Sequence, residues 1–286
     1  MGESPHGGNR DSNSEGSNLA KRIIVGAVLI PIVILITHIG GLPFTLFVAL
    51  MAVLAYREFC QMFSAFGPAL VAGGIAALVV CLSFDLVAAS SLEMLTVVLM
   101  ALLFERLVRT DRSMFARSIA TTILGVMYTG WLLGHFILLR NLDARYQPLA
   151  IKGSHLVYLV LILTWSYDTF AYMIGTFLGQ HRIFSKVSPS KTLEGTIAGF
   201  AGCILAAFIV RATLVRSLGA WHAVSIGLII AVFAQIGDLV ESMLKRSTGV
   251  KDSSHILPGH GGILDRFDSL LFAGPAMYLY VKLVLL

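Results

Sequence analysis

At 286 residues, 57% hydrophobic and 13% charged, the chain carries about half the charge of a soluble domain, which is roughly 25% charged and about 45–50% apolar. Its mean hydropathy of +0.83 agrees, and together these values exclude an ordinary soluble protein. Lys and Arg exceed Asp and Glu by 21 to 16, but they are scattered and form no basic stripe or patch, so no nucleic-acid partner is expected.

Residues 1–22 are rich in Gly, Ser and Asn and lack an apolar face, which predicts a disordered cytoplasmic tail. From residue 23 onward apolar stretches dominate. A bilayer core about 30 Å thick calls for about 20 apolar residues per helix. Nine stretches fit with soft edges: 23–39, 42–58, 66–84, 87–104, 118–138, 155–178, 196–215, 221–243 and 268–286. The expectation is therefore an all-α polytopic membrane protein with about nine transmembrane helices, and residues 23–286 forming a single transmembrane catalytic domain. Cys60, Cys81 and Cys203 are far apart, match no metal-binding spacing and read as small buried hydrophobes.

Orientation follows from the sidedness of Lys and Arg. With the N-terminus cytoplasmic, 15 basic residues fall inside and six outside. Two longer polar stretches, 179–195 and 244–267, then lie on the same cytoplasmic side and can contribute to one site.

Charges within spans are expensive and mark functional candidates. Asp168 lies within the sixth stretch, in TWSYDTFAYMIG; Asp238 and Glu241 lie near the end of the eighth, in AQIGDLVESMLKR. Asp238, Glu241, Ser242 and Lys245 are spaced to share one helical face. A solvated helix end with a local Glu241–Lys245 pair is the plainer alternative. The next segment, KRSTGVKDSSHILPGHGGILDRFDS, is the richest in polar chemistry. Its PGHGG turn allows backbone amides to approach an anion closely, and Asp265 and Asp268 follow at the start of the last helix. Paired carboxylates suit Mg²⁺, while Lys245, Arg246, Lys251, His260 and Arg266 suit phosphate oxygens. In the 179–195 stretch, SPSKTLEG adds the hydroxyls of Ser188 and Ser190, the cation of Lys191 and a glycine for close packing. Alone it reads as a Ser/Pro loop; beside 244–267 it reads as a second wall of a phosphate site.

The run from Ser242 through Lys245-Arg246 and Lys251-Asp252 to Pro258-Gly259-His260-Gly261-Gly262-x-x-Asp265-Arg266-x-Asp268 resembles the signature of the phosphatidate cytidylyltransferases, or CDP-diacylglycerol synthases. Gly237-Asp238, SPSKTLEG and Trp165-x-x-Asp168-x-x-Ala171-Tyr172-x-x-Gly175 match the same pattern. Ser190 stands where a second lysine is common, and Phe170 where a small residue is frequent. The resemblance implies that CTP and phosphatidate are converted to CDP-diacylglycerol and pyrophosphate at the bilayer surface. It implies Mg²⁺ and a second, monovalent or divalent, cation, with Asp168, Asp238, Asp265 and Asp268 as metal ligands. Lys191, Lys245 and Arg266 would act on the phosphates. Ser188, Ser242, Arg246, His260, Gly261 and Gly262 would bind or orient substrate. A homodimer is compatible with these features and not required by them. A bacterial inner membrane is the expected location. The rival classes are a secondary transporter, which would need inverted halves that the chain lacks, and a CTP-using polyprenol kinase, which would release CDP.

Overall fold

The computed structural model describes residues 26–86, 91–145, 151–185, 187–254, 256 and 261–286. The expected tail, residues 1–22, lies outside them. Each apolar stretch coincides with a helix: α1 (Gly26–Ile39), α2 (Gly41–Met62), α3 (Leu70–Leu86), α4 (Ser91–Arg109), α5 (Phe115–Arg140), α6 (Gly153–Leu178), α7 (Leu193–Thr213), α8 (Ala220–Ser247) and α9 (Leu264–Leu285). Among the described residues there is no strand, only an isolated bridge between Arg182 and Thr192. The chain is thus an all-helical membrane protein. Among the described residues six helices are long and apolar enough to cross, namely α2, α5, α6, α7, α8 and α9, so the expected count of nine is not confirmed. α1 and α3 are shorter apolar helices, and α4 ends in the charged run Glu105, Arg106 and Arg109.

Small residues set the helix contacts, as they do where lipid removes the hydrophobic drive between helices. α6 packs most extensively on α7, where Gly195, Gly199 and Gly202 form a stripe. A methyl group at Gly199 would stand 2.7 Å from the Tyr167 ring, and one at Gly202 would stand 2.5 Å from Phe170. Gly202 therefore makes room for the large residue at position 170. α8 meets α9 just as closely, because a methyl at Gly237 would lie 2.4 Å from the Asp268 carbonyl oxygen. α5 is interrupted by a π-helical turn at Met127–Trp131, which places Gly130 against the Ala77 backbone of α3. The three cysteines are free and buried, as their spacing implied.

One end of the bundle is closed by a polar network. Arg140 donates to the carbonyls of Thr37 (2.7 Å) and His38 (3.1 Å), clamping the α1–α2 turn, where Gly40 and Gly41 both take positive φ. Asp85 accepts from Thr45 and Asn141 at 2.9 and 2.8 Å.

Near the C-terminal end of α2, Glu58 is wholly buried. It accepts from the backbone amides of Ile263 (2.9 Å) and Leu264 (2.7 Å) and from the hydroxyls of Ser253 (3.1 Å) and Ser254 (2.5 Å). The first amides of a helix lack partners within it and carry positive partial charge, so a carboxylate there satisfies them. Glu58 thereby fixes where α9 begins and ties the preceding loop to α2. Removing the carboxylate leaves buried donors unpaired. Glu58→Ala is expected to destabilise the fold by about 3 kcal/mol or more, measured as a lower melting temperature in detergent; an unchanged melting temperature would show that water replaces the carboxylate.

Candidate active site

The expected face on α8 is present, because the helix continues to Ser247. Ser242 donates to Asp238 at 3.3 Å, and Lys245 lies 2.6 Å from Glu241. Glu241 is wholly buried, which rules out a solvated helix end while keeping the local ion pair. Lys245 also donates to Asp265 at 2.8 Å, so its ammonium sits between two carboxylates.

Asp265 is engaged on all sides. Besides Lys245, it accepts from the backbone amide of Gly262 (2.8 Å) and from the amide (3.1 Å) and hydroxyl (2.9 Å) of Ser253. Gly261 adopts φ +77°, and a methyl at Gly262 would fall 1.9 Å from the Ser253 hydroxyl oxygen and 2.6 Å from Glu58. Backbone amides in this turn do approach anions closely, as the glycines suggested. The anions are Asp265 and Glu58 of the chain itself. Pro258, Gly259 and His260 lie outside the described residues.

Asp265 also reaches a cavity of about 680 Å³, whose wall it shares with Asp168, Asp238, Asp268 and Arg266. From there the cavity runs along apolar walls that include Leu29, Val33, Phe47 and Leu161, from α1, α2 and α6. A second cavity, of about 320 Å³, lies between α6 and α7 and is lined by Tyr172, Thr176, Ser190, Lys191, Thr192 and Thr196 among others. Asp168 and Asp238 belong to both cavities. Lys191 makes an ion pair with Asp238, so the SPSKTLEG loop does form a wall against α8. Its conformation is set locally: Thr192 accepts from the Gly195 amide at 3.2 Å, and Glu194 holds the His181 ring at 2.5 Å. Arg266 is exposed to the cavity and forms no ion pair among the described residues.

Other expected residues stand apart. Ser188 and Arg246 line neither cavity, and the Ser188 amide donates to Phe184 in a turn. Ser242, Lys245, Gly261 and Gly262 sit behind the carboxylates rather than on the cavity surface. Among the described residues, no group of three His, Cys, Asp or Glu side chains could hold a metal ion unaided.

Sequence reasoning missed Glu58, Ser253 and Ser254. A signal existed for Glu58, since it is a carboxylate at the edge of the second apolar stretch. Tyr128 was also missed. It lies in the π-helical turn of α5, is 5% exposed, and its hydroxyl has no hydrogen-bond partner among the described residues. An aromatic inside an apolar run carried no signal of that kind.

The sequence pattern described as the cytidylyltransferase family matches residues 20–284. The chain is 32% identical to the phosphatidate cytidylyltransferase of Synechocystis sp., over 93% of this chain and 97% of the relative. It is also 32% identical to the protein of that name from Bacillus subtilis, over 93% and 98% of the two chains. The Staphylococcus haemolyticus protein of the same name is 31% identical over 89% and 94%. With a match this extensive, and with Asp168, Asp238, Asp265 and Asp268 lining one cavity, the chain belongs to the cytidylyltransferase family, a family of nucleotidyl-transferring enzymes.

Proposed function

We propose that this membrane enzyme converts CTP and phosphatidate to CDP-diacylglycerol and pyrophosphate in phospholipid biosynthesis, at a bacterial inner membrane with the site facing the cytoplasm. The observation that carries the reading is the junction of an apolar cavity and a polar one at Asp168 and Asp238. A lipid phosphate and a water-soluble nucleotide need such a meeting place. The shared name of the relatives supports the same pair of substrates.

The reaction joins two polyanions. The lipid phosphate is already a nucleophilic anion at neutral pH, so attack on the α-phosphorus of CTP needs no strong base. Catalysis rests on charge neutralisation and in-line placement. Arg266, exposed and unpaired at the polar end of the apolar cavity, receives the lipid phosphate. Asp168, Asp238 and Asp268 offer carboxylate oxygens to that cavity and fit Mg²⁺, which typically uses one or two carboxylates and completes its shell with substrate phosphates and water. A second cation, monovalent or divalent, would share that wall. Bound there, Mg²⁺ supplies neutralisation of the phosphate charge on the nucleotide. Lys191 is paired with Asp238 in the absence of ligands, and turns to a nucleotide phosphate once Asp238 has another cation. Lys245, Glu241 and Asp265 work differently: they hold the turn that sets the position of Asp268 and Arg266.

The test uses purified protein in phosphatidate micelles with labelled CTP and Mg²⁺. A labelled CDP-lipid together with pyrophosphate is expected, and a folded protein that releases CDP instead would refute the reading. Asp268→Asn should abolish turnover without lowering the melting temperature; near-normal activity would remove Asp268 from the metal set. Arg266→Ala should raise KM for phosphatidate by roughly tenfold or more, since hydrogen bonds to charged groups contribute about 1.5–3 kcal/mol, with KM for CTP much less affected. Equal shifts in both KM values would contradict the placement of the lipid phosphate.

A further inference from the structure

The smaller cavity, between α6 and α7, has a chemistry distinct from the larger one. Among the described residues its wall carries the hydroxyls of Thr176, Ser190, Thr192 and Thr196, the ring of Tyr172, the carboxylates of Asp168 and Asp238 and one cation, Lys191. That cation is already paired with Asp238, at the edge where the two cavities join. A triphosphate needs several positive charges, and among the described residues Lys191 is the one this recess supplies. Away from Asp168 and Asp238 it offers hydroxyl groups and an aromatic face, which suits an uncharged heterocycle with its sugar. Its far side is closed by backbone, because Gly175 and Gly195 approach so nearly that a methyl on Gly195 would stand 3.0 Å from the Gly175 Cα. Tyr172 is 74% exposed and lines the recess, so its ring presents a face for stacking.

We infer that the recess between α6 and α7 binds the nucleoside half of the nucleotide, with the base stacked on Tyr172 and the phosphates directed toward Lys191 and Asp238. This rests on the proposed use of CTP and adds the nucleoside-binding position. Tyr172 also lies near the end of a membrane helix, where aromatic residues serve as interfacial anchors. Phe177, on the same helix, is 80% exposed and lines neither cavity. It reports what an anchor alone would do.

The experiment measures CTP binding to the full chain in detergent by equilibrium dialysis with Mg²⁺ and no lipid, then KM for each substrate by initial rates. Tyr172→Ala is expected to weaken CTP binding about tenfold, in keeping with the loss of base–aromatic stacking. Tyr172→Phe should retain the parent affinity. Phe177→Ala should leave CTP binding as it was, and KM for phosphatidate should stay at the parent value in all three. Unchanged CTP binding in Tyr172→Ala overturns the inference. So does a parent chain that binds no CTP, or a pattern in which Tyr172→Ala and Phe177→Ala lower the melting temperature and weaken both substrates alike, which identifies an anchor. If the parent binds CTP in a Tyr172-dependent way yet makes no CDP-lipid, the proposed reaction fails and the nucleoside site stands.

Discussion

A carboxylate with no exposure, Glu58, is held by four donors that come from a segment about two hundred residues further along the chain. In a membrane interior an uncompensated charge is far too costly to keep. Here the first amides of α9 and two serine hydroxyls supply the compensation. The same contact that makes Glu58 tolerable also decides where α9 starts. Because Asp265, Arg266 and Asp268 lie in the first turns of that helix, their placement against α8 and α6 derives from it.

Around this anchor the acidic residues divide into two groups. Glu58, Glu241 and Asp265 point inward and are met by amides, hydroxyls and the ammonium of Lys245. Asp168, Asp238 and Asp268 line the larger cavity, whose wall Asp265 also reaches. Lys245 between Glu241 and Asp265 is a buried ion triad, and removing one member of such a set leaves charge that nothing compensates. A rigid inner shell of this kind fixes the cavity wall that Asp168, Asp238 and Asp268 share.

Much of this was legible from residue pattern. The apolar stretches map onto the helices within a few residues, because hydrophobic length is the dominant constraint in a bilayer. The shared face of Asp238, Glu241, Ser242 and Lys245 follows from helical periodicity alone, and the Lys191 loop does meet α8. What could not be read was partnership at long range. Nothing local to Glu58 names Ser253 or Leu264, and the spacing of Asp265 and Asp268 does not say that the turn also holds Asp265. The glycines of the turn were understood as permitting an anion's approach, which they do; which anion depends on the tertiary fold. Span counting is confirmed in part: among the described residues α1, α3 and α4 are helical without meeting the length and apolarity that a full crossing asks for.

The wall common to both cavities has a bearing on how a molecule could depart. A product that joins a nucleotide to two acyl chains would straddle Asp168 and Asp238, one part in each chamber. It could not back out through the polar recess, because its chains would have to follow through water. Departure sideways into the bilayer, with the headgroup drawn last past the carboxylates, leaves the small leaving group to exit alone on the aqueous side. One shared partition would then sort the two products by solubility and give each its own door.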